Sequence, residues 1–242
     1  GYVYKRQCLI NGRVTERSWK RYRLIRPLVG SLLKKLNSIQ AQDRIYADRL
    51  IDLGAPVERI EVTGSIKFDN AQTDRGNPKT RRLAELAGIA ADDVVLLAGS
   101  TQHPEESLAI AAFRELSPTW PRLRLVLVPR HPDRFDEVAA LLDASGVCWQ
   151  RRSSLVGPAA DARARVLLVD TVGELGAWWG TARIAYVGGS LSRRGGQNMI
   201  EPAAYGAAVA FGPNTWNFRD VVAALRPADA ASVVNNLSLI QL

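Results

Sequence analysis

The chain has 242 residues, 47% of them hydrophobic, and a net charge of +8. That length supports one large domain or two small ones with real cores, and no apolar run approaches the roughly 18 residues that cross a membrane. Two distant cysteines, Cys8 and Cys148, and two histidines, His103 and His131, exclude a disulfide framework and a multi-ligand zinc centre, so a reducing compartment is expected.

Residues 1–7, GYVYKRQ, carry no recognisable start signal or secretory signature and are set aside from the fold. Between Arg13 and Lys35 stand eight Lys/Arg against one acid, Glu16, nearly the whole net charge. Such a basic face suits an anionic partner: nucleic acid, anionic lipid or a phosphorylated substrate. A solvated helix face is the plainer reading. The pattern predicts helix over residues 16–36, with Ile25, Leu28, Leu32, Leu33 and Leu36 on one side. Pro27 and Gly30 interrupt it, so two shorter helices are expected. Trp19 and Tyr22 interleave with Arg17, Lys20, Arg21 and Arg23, as at a lipid headgroup surface; alternatively the aromatics pack inward beneath the basic stems. A short strand over residues 38–42, a helix over 43–53 stopped by Gly54, and a strand over 59–63 follow. The polar residues 70–79, with Gly76 and Pro78, are expected to form a domain linker, dividing the chain into residues 1–73 and 74–242.

From Asp92 onward, strand and helix alternate. Apolar strands are expected at 94–98, 123–128, 147–150, 166–169, 184–187 and 207–211. Helices are expected from Pro104 to Leu116, Asp133 to Ala144, Leu175 to Gly180 and from about Asn198, with a surface loop over 153–163. Buried strands separated by helices predict an α/β fold with a doubly wound parallel sheet, which binds ligands at the carboxyl ends of its strands. Four polar loops fall at such ends: Gly99-Ser100-Thr101, Pro129-Arg130-His131, Asp170 to Glu174, and Gly188-Gly189-Ser190.

Arg130 offers planar recognition of phosphate and His131 a second hydrogen bond; a structural ion pair and a helix cap are the alternatives. Val172, Gly173 and Glu174 either lie against a nucleotide or complete a capping box with Asp170 or Thr171. Ser100 and Thr101 divide between capping and ligand contact. Gly196, Asn198, Met199, Ile200 and Glu201 form the last group. Its glycines permit close backbone approach, Asn198 caps a helix or holds a ligand, and Glu201 suits ribose hydroxyls at a helix start that favours anions. No nucleophilic triad and no GxxxxGK(S/T) loop is present.

Together VLVPRHPDRF, LLVDTVGELGAWW, YVGGSLSRRGGQNMIEPAAYGAAVAFGPNTWNF, TGSIKFD and the upstream INGRVTERSWKRY resemble the 3-deoxy-D-manno-octulosonic acid (Kdo) transferases of lipopolysaccharide assembly, over about residues 8–224. The resemblance implies a GT-B glycosyltransferase with two Rossmann-like domains. Residues 1–73 would be the end of the N-terminal, acceptor-binding domain, and residues 74–242 the nucleotide-sugar domain. It further implies CMP-Kdo as donor, with no cofactor and no metal, lipid A precursor as acceptor, and inverting transfer at the cytoplasmic face of the bacterial inner membrane. Pro129, Arg130 and His131 would face the CMP phosphate, Val172, Gly173 and Glu174 would line the nucleotide, and Asn198 to Glu201 would hold phosphate and ribose. The family often has histidine at Gln197, and proline and leucine at Met199 and Ile200, so an acid/base role at Gln197 is in doubt. It also carries well over a hundred more residues ahead of Cys8, roughly the scale of a typical domain, where the catalytic base, a carboxylate, is expected; no catalytic residue is assigned in this chain, which is expected to be an inactive fragment. Past Asp220 the resemblance fades, and residues 234–242 look like a different ending. The competing readings are a GT-B transferase with a UDP-sugar donor and a basic nucleic-acid-binding module; no nucleic-acid motif supports the latter.

Overall fold

The computed structural model describes residues 6–66, 71–156, 161 and 163–235. Two compact units, Gly1–Asn70 and Ala71–Leu242, make up the chain. The Lys67-Phe68-Asp69 part of TGSIKFD, residues 1–5 and residues 236–242 lie outside the described residues.

The first unit holds strand β1 (Cys8–Gly12), helices α1 (Glu16–Arg23) and α2 (Arg26–Leu33), strand β2 (Ser38–Ala41), helix α3 (Arg44–Asp52) and strand β3 (Ile60–Val62). Its strands form a parallel sheet in the order β1-β2-β3. Thr15 caps α1 by accepting from the Ser18 N–H, and Asp43 caps α3 through the Tyr46 N–H, short polar side chains filling donors that a helix start leaves open. The predicted break falls at Leu24-Ile25, and Pro27 takes the first turn of α2, where its missing N–H costs nothing. Val14, Leu33, Ile39, Ala47, Leu50 and Leu53 build the core. The expected apolar stripe divides: Leu33 packs inward, but Ile25, Leu28 and Leu32 are exposed, because the break between the helices resets the period. Trp19 packs partly inward, donating to Asp52 Oδ2 at 2.8 Å beneath the guanidiniums of Arg23 and Arg49.

The second unit begins at Ala71, within the expected linker over residues 70–79, and α4 (Pro78–Leu86) takes up the last two residues of that stretch: Asn77 accepts from the Thr80 N–H and starts a helix whose Leu83 is buried. Then follow β4 (Val94–Thr101), α5 (Glu105–Leu116), β5 (Leu123–Pro129), α6 (Phe135–Ser145), β6 (Trp149–Arg151), β7 (Val166–Leu168), α7 (Leu175–Trp178), β8 (Ile184–Val187), α8 (Ile200–Ala204), β9 (Ala208–Phe211), α9 (Arg219–Leu225) and β10 (Ala231–Val233). These strands form one seven-stranded sheet, order β10-β9-β8-β4-β5-β7-β6, with every pair parallel. Side chains of β4 alternate between two cores: Val95 and Leu97 join Trp178, Trp179 and Phe211 on one face, while Leu96 and Ala98 join Phe113, Leu125 and Leu142 on the other. Burial on both faces explains the continuous apolar runs. Past Asp220 the chain stays in the fold, since β10 pairs in register with β9.

Strand order reverses between β4 and β8, which places a crevice at their carboxyl ends. Gly188, at the end of β8, is required there: a Cβ would stand 2.5 Å from the Ser100 carbonyl oxygen and 2.6 Å from Thr101 Cα. Among the described residues no helix is long and apolar enough to cross a membrane.

Candidate functional site

Three of the four strand-end loops line one cleft of about 300 Å³. Ser100 comes from the end of β4, Pro129, Arg130 and His131 from the end of β5, and Thr171, Val172 and Gly173 from the loop after β7. Phe135 and Leu175 supply apolar wall. The Arg130 N–H donates to the Thr101 carbonyl at 3.0 Å, tying the β4 and β5 loops together. Ser100 sits at φ 54°, a left-handed conformation that is uncommon outside glycine and tends to gather at functional sites.

The side chains of Arg130 and His131 are exposed, and neither has a hydrogen-bond or ion-pair partner among the described residues. The structural ion pair considered for Arg130 is therefore not formed, and His131 precedes a short 3-10 turn without a side-chain cap bond. A free guanidinium beside a free imidazole at a strand end leaves five N–H donors and a ring nitrogen for an anionic ligand. Gly173, at φ 88° with open space around it, and the exposed Val172 form the opposite rim.

The loop that carries this rim is anchored by ionic contacts. Glu174 accepts a two-pronged bond from Arg152, Nε to Oε2 at 3.0 Å and Nη2 to Oε1 at 2.8 Å, and a third from the Thr171 hydroxyl at 2.6 Å. Partial burial opposes ionisation, but the bonds from Thr171 and Arg152 outweigh it and hold Glu174 below the usual glutamate range. Asp170 accepts from the Ser153 N–H and hydroxyl at 2.8 and 2.6 Å. The capping box is thus not what these residues form: α7 opens at Glu174 without a side-chain cap, and Thr171 bonds the carboxylate itself. Ser153, expected in a plain surface loop, and Arg152 just ahead of it are what set the rim; their one sequence signal is the Arg151-Arg152 pair ahead of two serines.

The fourth loop, Gly188-Gly189-Ser190, holds an anion of the protein's own. Glu105 on α5 is fully buried, and its carboxylate accepts from the N–H groups of Gln102 (2.9 Å), Gly189 (2.8 Å), Ser190 (3.1 Å) and Leu191 (3.2 Å) and from the Tyr186 hydroxyl (2.8 Å). Burial, then the Glu105 charge, pushes the Tyr186 phenol well above its usual range, so it stays a donor. The backbone donors at the crossover between β4 and β8 are therefore occupied. Sequence reasoning passed over Glu105, although the α5 period places it with Ala109 and Ala112 on the buried face.

The remaining predicted residues form a separate cluster between β8 and β9, outside the lining of the cleft. The Gly196 N–H donates to the Gly189 carbonyl at 2.9 Å, and the neighbouring Gly195 is packed under Trp216 and Asn217. Asn198 closes the turn ahead of the helix: its Oδ1 accepts from the Ile200 N–H, and its amide donates to Glu201 Oε1, both at 3.0 Å. Met199 and Ile200 are core side chains, leaving only backbone to offer a ligand. Glu201 lies beside α7, where a Cβ on Gly176 would stand 3.7 Å from its Oε2. This helix has five residues and starts at Ile200, two residues later than predicted, because Asn198 spends its side chain on the turn before it.

A parallel α/β domain with a cationic cleft at its strand ends defines a Rossmann-like domain, here of the GT-B type. Residues 5–70 match the family model described as 3-deoxy-D-manno-octulosonic-acid transferase (kdotransferase). The chain is 35% identical to the 3-deoxy-D-manno-octulosonic acid transferase of Haemophilus influenzae over 94% of its own length and 52% of that protein, and 37% identical to the Bordetella pertussis enzyme of the same name over 94% and 54%. It superposes with TM-score 0.61 on the crystal structure of the C-terminal CMP-Kdo binding domain of WaaA from Acinetobacter baumannii, 28% identical, covering 67% of this chain and 83% of that one. The resemblance seen in the motifs is borne out: this chain is a relative of the Kdo transferases, which are glycosyltransferases. It spans about half the length of the curated relatives it matches.

Proposed function

We propose that residues 74–242 are the donor-nucleotide domain of a Kdo transferase of lipopolysaccharide assembly, and that residues 1–73 belong to its acceptor-binding domain. CMP-Kdo is the donor. The observation that carries this reading is the cleft in which unpaired Arg130 and His131 face Val172 and Gly173 across about 300 Å³. Arg130 takes the phosphate of CMP, His131 adds a hydrogen bond, and the Val172–Gly173 rim lies against the nucleoside. Transfer is inverting and needs no metal, the phosphate charge being met by these side chains. Glu201, beside α7, takes ribose hydroxyls.

The acceptor is the lipid A precursor, and the protein works at the cytoplasmic face of the inner membrane. There the exposed Lys20, Arg21 and Arg23 of α1, with Leu24, Ile25 and Leu28 beside them, meet anionic lipid. The two carboxylates that anchor the rim, Asp170 and Glu174, are each committed to neighbours. Neither is free to serve as the base that an inverting displacement needs at the acceptor hydroxyl, so that base is a group other than these two carboxylates.

Calorimetric titration of the 242-residue chain with CMP and with UDP tests the donor assignment. CMP should bind more tightly, and Arg130→Ala should weaken it about tenfold or more, the scale of a lost charge-assisted hydrogen bond. Preference for UDP, or CMP binding untouched by Arg130→Ala, would overturn it.

A further inference from the structure

A second recess, of about 520 Å³, opens at the other edge of the same sheet. It lies by the amino ends of β4 and β8, where Asp93 and Arg183 stand just ahead of the strands. The cleft at the carboxyl ends is separated from it by the length of β4, roughly 25 Å at the usual strand rise. Three guanidiniums line the recess: Arg75 ahead of α4, Arg81 on α4, and Arg183.

Their charge is not balanced within the recess. Arg75 is half-buried and, among the described residues, bonds only neutral acceptors, Nε to the Tyr205 carbonyl at 2.7 Å and Nη1 to the Gly180 carbonyl at 3.3 Å. Arg81 and Arg183 are exposed and have no side-chain partner among the described residues. Of the two carboxylates on the wall, Asp93 is already paired with Arg124 and Arg122. Glu85 is exposed and forms no ion pair among the described residues. Burial and the charge of Arg183 both disfavour ionised Arg75. Like charges held together in a concavity, with neutral acceptors fixing one of them, favour the arrival of an anion, and planar guanidiniums match phosphate oxygens in pairs. A volume of this size accommodates more than one phosphate group.

We propose that this recess is a second anion site, taking a soluble phosphorylated ligand with at least two phosphate charges, with Arg81 and Arg183 gripping it and Arg75 supplying charge from beneath. Inorganic pyrophosphate is the probe, titrated by calorimetry at low ionic strength in an Arg130→Ala background that weakens the strand-end cleft. In that background, Arg183→Ala and Arg81→Ala should each weaken pyrophosphate about fivefold or more, and Arg183→Lys should fall between. Since both side chains are exposed and unbonded, their thermal unfolding should match the parent. As a second readout, pyrophosphate should shift the backbone amide resonances of Gly180 and Thr181, and the arginine variants should reduce the shift at the same pyrophosphate concentration. Absence of pyrophosphate binding in the Arg130→Ala background, affinity unmoved by both arginine substitutions, or silent amides at Gly180 and Thr181 would each overturn the assignment.

Discussion

Glu105 is a fully buried carboxylate on the connection between β4 and β5. A buried carboxylate is tolerated only when its charge is met by donors, and here five are aimed at it. Glu105→Gln keeps the shape but removes the charge and places an NH2 group against N–H donors, so at least one buried amide loses its partner. The expected loss is about 2–4 kcal/mol, read as a lowered urea midpoint; a loss below about 1 kcal/mol would show that the loop keeps its form without the charge. Glu174 permits a pH test. Its folded pKa is lowered from the ordinary 4.5, so its contribution is fully present above that value and fades as pH falls through the lowered one. The stability gap between the parent and Glu174→Gln should therefore be widest near neutrality and shrink toward pH 3. A gap independent of pH would mean that the Arg152–Glu174 contact contributes through packing alone.

The elements were legible wherever pattern and local chemistry agreed. Strands β4, β5, β7, β8 and β9 declare themselves by unbroken apolar runs, and α3 and α5 by period and flanking Gly or Pro. The helix α4 was hidden because its cap, Asn77, and first-turn Pro78 look like linker chemistry. The strand β1 was hidden because its exposed Ile10 breaks the expected burial. At the site, Arg130, His131, Val172 and Gly173 were found from their places at strand ends. Glu105, Arg152 and Ser153 were missed because their roles depend on partners 17 to 86 residues distant along the chain, as in the Glu105–Leu191 and Ser153–Asp170 bonds. The helix pair α1–α2 carries its own expectation. Reversing the charges of Lys20, Arg21 and Arg23 in a full-length protein should weaken sedimentation with anionic vesicles about a hundredfold or more, about 1 kcal/mol being the usual worth of each basic residue near such a surface. Unchanged sedimentation would return the segment to an ordinary solvated face.

For the molecule as a whole, binding and transfer should separate. The 242-residue chain is expected to bind CMP yet give no labelled Kdo on lipid A precursor in a transfer assay, because both carboxylates that anchor the cleft rim, Asp170 and Glu174, are committed to neighbours. Measurable turnover by this chain alone would sink that expectation. The strand order has a further consequence, for how the sheet is assembled. The strand β4 comes first in the chain of the second unit and ends in the middle of its sheet, with β5 and β8 against it. Each later strand on the β8 side adds to the outer edge of the one before. Every pairing in the sheet is a crossover, closed over a long loop, which makes such topologies slow to form. The β4–β5 pair is the only one in the sheet that can form before the rest has been synthesised past Pro129. Growth then runs outward on the β8 side, while on the other side β7 comes between β5 and the earlier strand β6, and Glu105, on the connection between β4 and β5, waits for the β8 loop to arrive before its charge is met.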